Sequence, residues 1–291
     1  TKYASTIEKL YTHTSFLRAH CKANVEMTGA KTCRVYMLNT TPVVDYTRNG
    51  NSRYGEVKDV QDTVVEYMMT QDKSFTGVVD KGDESEQAIS NKSGQWLRQQ
   101  IAEQCVPTGD KYGFARIAKL GHIAGVTAEP TKSTIVTMVY DAATYMDEHL
   151  VPENGRVLFV RAKDYPKIIL SDEWHGLDSL AGKQLPTGTV GQIAGFTVVK
   201  VPSNMFPTDV YMVAAQESAL AFPYRINDTK IHQDPPGISG ALIEGRQTYD
   251  LFVLASKADA VVVIGKDGSK QACTVAIASH SATVTAAGAD E

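Results

Sequence analysis

Apolar and polar residues repeat at two different periods along this chain, and the change of period divides it. Between residues 83 and 105, Ile89, Trp96, Leu97, Ile101 and Cys105 share one side of a 3.6-residue wheel, while Glu86, Lys92, Arg98, Gln99 and Glu103 cover the other. Asp83, Glu84 and Ser85 place acidic groups and a capping oxygen where a helix leaves its N–H groups unpaired, so an amphipathic helix of about five to six turns is predicted to start near Asp83. Pro107 and Gly109 predict its end, with the chain turning back through Tyr112, Phe114, Ile117 and Leu120.

Before that helix the pattern is extended. Residues 1–32 are polar with scattered apolar positions, among them Ile7, Leu10, Phe16 and Leu17, spaced for a short helix without a strong face. They read as an arm. From Cys33 the run CRVYMLNTTPVVDYT is rich in β-branched and aromatic residues and broken by Pro42, which suits strands near an exposed edge. RNGNSRYGEVKDVQDT then carries an Asn-Gly turn and dense charge, and VVEYMMTQDKSFTGVVD returns as strand. The result is a projecting hairpin with Tyr46 and Tyr67 on its two limbs. A two-stranded ribbon is marginal alone in water and has to lie on something, a neighbouring copy being one candidate.

Beyond Pro130 the strongest helical repeat is TKSTIVTMVYDAATYMDEHL, with Ile135, Met138, Val139, Ala142, Tyr145, Met146, His149 and Leu150 on one stripe, ended by Pro152 and Gly155. RVLFV at 156–160 is continuously apolar, as a strand buried on both faces should be. Asp164 is placed to cap a short helix through Leu170. Residues 172–192 show little periodicity and read as a long loop. GFTVVKVP and DVYMVAA are strands, QESALAF a short helix, and GALIEGRQTYDLFVLASKADAVVVIG a strand, a turn at Lys257-Ala258-Asp259 and a returning strand. The tail from Lys266 is Ala/Thr/Ser-rich, either an extra strand or partly disordered. The fold class is α+β.

Composition narrows the chemistry. At 291 residues and 43% hydrophobic the chain can bury one large domain or two smaller ones. A net charge of -4 leaves no overall basic field, so any nucleic-acid contact is local and weak. Cys21, Cys33, Cys105 and Cys273 match no metal or redox spacing and are too sparse for a disulfide framework, which makes a reducing cytosol the simplest compartment. No apolar run approaches the roughly 18 residues of a spanning helix, and the N-terminus lacks a signal-peptide layout, so no membrane partner is expected.

The seven histidines form no HExxH and no i, i+4 pair. Gly188, Gly191 and Gly195 in GTVGQIAG lack the helix N-terminus that would hold a phosphate. GxSxG and Walker motifs are absent. His175, beside Trp174, Asp172 and Glu173, is the one hint of acid-base work, against the plainer reading of a solvated loop histidine. No catalytic residue, cofactor or metal site is expected.

Several stretches in order resemble a known family: FTGVVDKGDESEQA leading into the long helix, AEQCVPTGDKYGFARIA leaving it, then NGRVLFVRAKDYPKIIL, VGQIAGFTVVKVPSNMFP, DVYMVAAQESALAF and TYDLFVLASKADAVVVI. Together they are similar to major capsid proteins of tailed bacteriophages, the Hong Kong 97 fold, which encapsulin nanocompartments share. The resemblance covers nearly the whole chain. It implies an N-terminal arm at 1–32, an extended E-loop at 33–80 lying across an adjacent subunit, a peripheral domain at 81–129 and 240–265 with a spine helix, an axial domain at 130–239, and a C-terminal tail at 266–291. The 172–192 loop then becomes a candidate for the centre of a capsomer.

It also implies a non-enzymatic structural protein that self-assembles into pentamers and hexamers of an icosahedral shell around double-stranded DNA. The implied location is the virion capsid, assembled in the bacterial host cytoplasm. Implied partners are further copies of itself, portal and scaffolding proteins, and weak non-specific contact with packaged DNA. An encapsulin-like compartment is the nearest alternative, and a cytosolic α/β enzyme using His175 a more distant one. Some family members carry a scaffolding segment before the arm; the chain starts at Thr1 without one, so a separate scaffold or prior removal is expected. Others cross-link through a Lys-Asn isopeptide bond, but no motif assigns that role to Lys58 or Lys73, which read as surface lysines. Arg48, Arg53, Lys58, Asp59 and Asp62 are expected to pair across subunits.

Overall fold

The computed structural model describes residues 14–29, 31–38, 40–46, 48–49, 53–56, 62–80, 93–171, 189–266, 272–278 and 281–287. The predicted start of the long helix at Asp83, His175 with most of its loop, and Lys58 and Asp59 fall outside these residues.

The arm forms one 3-10 turn, Arg18–His20, and then β1 (Glu26–Thr28). β2 (Thr32–Leu38) and β3 (Asp62–Met68) pair antiparallel as the hairpin, and β1 adds a third strand on the free side of β2. Tyr67 lies on β3 opposite Cys33, as expected for a limb. Tyr46 sits instead in the non-strand stretch between the limbs, edge-on to Tyr54 with ring centroids 5.0 Å apart. β4 (Gln71–Asp80) leaves the hairpin and joins a different sheet.

The helix that follows corrects the sequence reading. It does not stop at Pro107. α1 (Ser93–Gln100) passes through a single π turn at Ile101–Cys105 into α2 (Val106–Leu120) without a break in direction of the chain. A proline inside an α-helix removes one N–H and clashes with the carbonyl four residues back. Here Pro107 stands at the start of α2, directly after wide turns that carry i→i+5 bonds, where a missing N–H does least harm. Gly109 and Gly113 are buried helical residues, not breakers. Added Cβ atoms would meet Phe222 and Tyr224 at 3.6 and 3.7 Å for Gly109, and the Leu17 side chain for Gly113.

β5 (His122–Val126), α3 (Ile135–Glu148), β6 (Arg156–Arg161), α4 (Tyr165–Ile169), β7 (Thr189–Ile193), β8 (Phe196–Val201) and β9 (Val210–Gln216) follow. β7 corrects the reading of 172–192 as loop throughout. α3 keeps its predicted stripe as far as Met146, but His149 is exposed, and Leu150, at φ 56°, is 90% exposed. Asp164 does not cap α4. Its buried carboxylate accepts from Arg161 Nε at 2.6 Å and Lys167 Nζ at 2.7 Å instead.

QESALAF makes only a 3-10 turn at Glu217–Ala219 before β10 (Leu220–Ala221). β11 (Tyr224–Gln233), β12 (Gly240–Tyr249), β13 (Phe252–Val253) and β14 (Val261–Lys266) complete the body, with a 3-10 segment across the predicted turn at 257–259. β15 (Ala272–Ala278) and β16 (Ser281–Ala287) pair as a hairpin in the tail.

Two sheets carry the body. A six-stranded mixed sheet runs β5-β14-β9-β6-β8-β7, and a three-stranded antiparallel sheet runs β11-β12-β4. The first draws β5 and β14 from outside the expected 130–239 domain, while β11, from inside it, belongs to the second. The inner strands β14, β9 and β6 are buried on both faces, which is why they read as continuous apolar runs. Val157, Phe159, Val213 and Val263 pack with Phe114 and Ile117 of α2; Leu158, Val160, Met212 and Ile264 pack with Ile135, Val139 and Met146 of α3. On the second sheet Gly77 leaves the slot filled by Trp96 of α1, whose ring would lie 2.6 Å from a Cβ there, and Gly245 does the same for Phe75. One helix thus covers both sheets in turn.

Candidate assembly interface

Two side chains of α2, two residues apart, reach the arm and the base of the hairpin: Asp110 and Tyr112. Asp110, fully buried, accepts hydrogen bonds from Ser15 Oγ at 2.6 Å and the Phe16 backbone N–H at 2.9 Å. Leu17, with no exposed surface, occupies the slot left by Gly113 and reaches the core shared with Phe114 and Phe159. Further along the arm Lys22 N–H donates to the Glu217 carbonyl at 2.8 Å, and the Glu217 carboxylate receives Lys22 Nζ at 2.6 Å and lies 2.8 Å from His20 Nδ1. Arg18 covers the Tyr224 ring at 3.6 Å. The arm is seated residue by residue.

The base of the hairpin is held by Asp250, also fully buried. Its carboxylate accepts from Thr70 N–H at 2.9 Å, Thr70 Oγ1 at 2.7 Å, Tyr112 Oη at 2.9 Å and Leu251 N–H at 2.8 Å, and Arg116 Nε stands 3.6 Å away. Four donors on one carboxylate join the link between β3 and β4, the middle of α2 and the residue before β13. A second tie is Asp72 on β4, paired with Arg246 of β12 and with Lys31 of the β1–β2 turn at 2.8 Å. Those hydrogen bonds, Arg246 first and Lys31 next, hold its carboxyl well below the usual carboxylate range. Burial pushes the Tyr224 phenol up to about 12 and the Cys105 thiol up to about 11, so both stay neutral.

The three-stranded β1-β2-β3 sheet has two unlike faces. Cys33 and Tyr67 face inward against Phe252, Ala221 and Met69. The opposite face presents Tyr36 beside Val64 and Met68 beside Thr32, with Arg34 Nε donating to Glu66 at 2.7 Å between them. Tyr36 is 56% and Met68 69% exposed. Strand alternation alone dictates this: every second residue must face outward, and here several are large and apolar.

No group of three or more metal-ligating side chains occurs among the described residues. Lys73 lies on β4 opposite Gln247. Arg48 and Arg53 lie in the described parts of the hairpin tip. The periodicity of the chain gave no sign of the Asp110 and Asp250 anchors. An aspartate within an apolar helix and one following a strand, in VPTGDKYGF and QTYDLFV, were the available signals.

No protein-family model and no curated protein matches the sequence. Solved structures do match in shape. A chain from Mycobacterium phage Che8 superposes with a TM-score of 0.68 at 21% identity over 92% of this chain and 97% of that one. The capsid structure of cyanophage P-SCSP1u gives 0.66 at 12% identity over 92% and 93%. This is a phage capsid fold. The mature capsid of bacteriophage PhiM1 gives 0.64 at 13% identity over 92% of both chains.

Proposed function

We propose that this chain is the major capsid subunit of a tailed phage or prophage, a structural protein that closes into an icosahedral shell of pentamers and hexamers around double-stranded DNA. The observation that carries this is the hairpin, a projecting sheet fixed at its base by Asp250 and Asp72 and exposing Tyr36, Val64 and Met68 on its outer face. A face of that kind is costly to leave in water, and a second copy of the subunit covers it. The capsid fold supports the same reading.

In this reading residues 1–32 are the arm, 33–68 the projecting part of the E-loop and 93–120 the described part of the spine helix. The β11-β12-β4 sheet forms the peripheral domain, and the six-stranded sheet forms the axial domain with α3 and α4. Portal and scaffolding proteins are further partners, and contact with DNA is weak and non-specific, in keeping with the net charge of -4. No described helix is long and apolar enough to cross a membrane.

Negative-stain microscopy of the expressed protein tests the proposal directly, with closed shells as the expected result. Deleting residues 48–66 should leave a folded subunit that no longer closes, and normal shells from that deletion would sink the hairpin's role. Shells that hold protein cargo and no DNA when produced in an infected or lysogenic host would favour a compartment instead.

A further inference from the structure

The unit built on the six-stranded sheet is charged in opposite senses at its two ends. At the end where β6 begins, Arg156 reaches Asp147 at 2.7 Å and the Pro152 carbonyl at 3.1 Å, which places the C-terminus of α3 there with Glu148 and Glu153. At the end where β6 finishes, Lys163 meets Glu129 at 3.0 Å and Lys167 donates to the Pro130 carbonyl at 2.8 Å, which places the start of α3 and Lys132 there. Lys200, 5.7 Å from the Tyr165 ring, belongs to the same end, where Arg161, Lys132, Lys163, Lys167 and Lys200 outnumber Glu129, Asp164 and Asp209. Glu148, Glu153 and Lys132 have no ion-pair partner among the described residues.

This arrangement opposes the dipole of α3. The helix has no acid in its first turn and no base in its last, where Asp147 and Glu148 stand against the partial negative charge of its C-terminus. Each end also exposes apolar surface: Leu150, at φ 56° and 90% exposed, at the acidic end, and Leu170, 56% exposed, at the basic end. A leucine in a left-handed helix cap is strained where glycine would not be, and its side chain touches water. Charge placement and strain both work against the isolated subunit.

We infer that these two ends meet head to tail between copies, Leu150 with Glu148 and Glu153 of one subunit packing on Leu170 with Lys132 and Lys200 of the next. The contact is heterologous, and it closes a ring when the rotation from one copy to the next is a whole fraction of a turn, as the pentamers and hexamers of the capsid reading above, on which it rests, require. Opposite charges that flank an apolar centre fix the register of such a contact and exclude the like-ended one.

Charge reversal tests it. The subunit carrying Glu148→Lys with Glu153→Lys should need about tenfold more protein to assemble, since like charges would face each other at the rim. Adding Lys132→Glu with Lys200→Glu to the same chain should restore assembly to within about threefold of the native subunit, because each copy supplies both ends. Circular dichroism and thermal melting of unassembled subunits verify that all variants fold. Native subunits that assemble while the first variant assembles equally well, or a four-fold variant that stays as defective as the first, would overturn the inference and leave the capsid reading standing. Failure of the native subunit to form any ring or shell would overturn both.

Discussion

At the scale of single residues, buried carboxylates do the joining. Asp250 takes four hydrogen bonds with no solvent to substitute for a lost one. Asp250→Ala strands Thr70, Tyr112 and Leu251 donors in a dry site and should cost about 3 kcal/mol, read from urea denaturation of the unassembled subunit. Leu150 predicts the opposite sign. Leu150→Gly relieves a left-handed backbone strain of about 1 kcal/mol and should raise the melting temperature by about 2 °C while weakening assembly. A substitution that stabilises the subunit and impairs the assembly would separate the two demands placed on one residue.

At the scale of elements, the ties between the hairpin and the body are electrostatic and respond to pH. The folded-state pKa of Asp72 is depressed by Arg246 and Lys31, so its contribution is present above the ordinary carboxylate pKa and is lost as pH falls through the folded value. Limited proteolysis of the hairpin should therefore be flat from neutral pH down to about 4 and accelerate below it. Asp72→Asn should show the faster cleavage already at neutral pH. An unchanged pH profile in that variant would assign the acid sensitivity elsewhere.

Much of the element level was legible in the chain. The β6 run RVLFV, the α3 stripe and the two hairpin limbs follow from period and burial. The π turn was not, because Pro107 and Gly109 carry the usual signature of a helix end, and only packing on both sheets shows why the helix continues. Nor was Leu17 distinguishable as a core residue from the other scattered apolar positions of the arm. Its place depends on Gly113, 96 positions later, and periodicity does not register pairings at that distance.

At the scale of the molecule, the arm is part of the core and not an appendage. Leu17→Ala should cost about 3 kcal/mol, as for other fully buried leucines, and should raise hydrogen exchange through residues 15–23 before the sheet strands are affected. Equal protection of arm and sheet in that variant would argue against Leu17 as the anchor. The helix beneath it has a final consequence. A π turn is what an α-helix becomes when it takes in one residue more than its pitch needs, so Ser93–Leu120 carries a surplus residue at Ile101–Cys105. Shortening the chain by one residue there would let the turns tighten while Trp96 keeps its slot over Gly77 and Asp110 keeps its grip on Ser15. The same deletion elsewhere between Trp96 and Asp110 would rotate one set of contacts out of reach of the other.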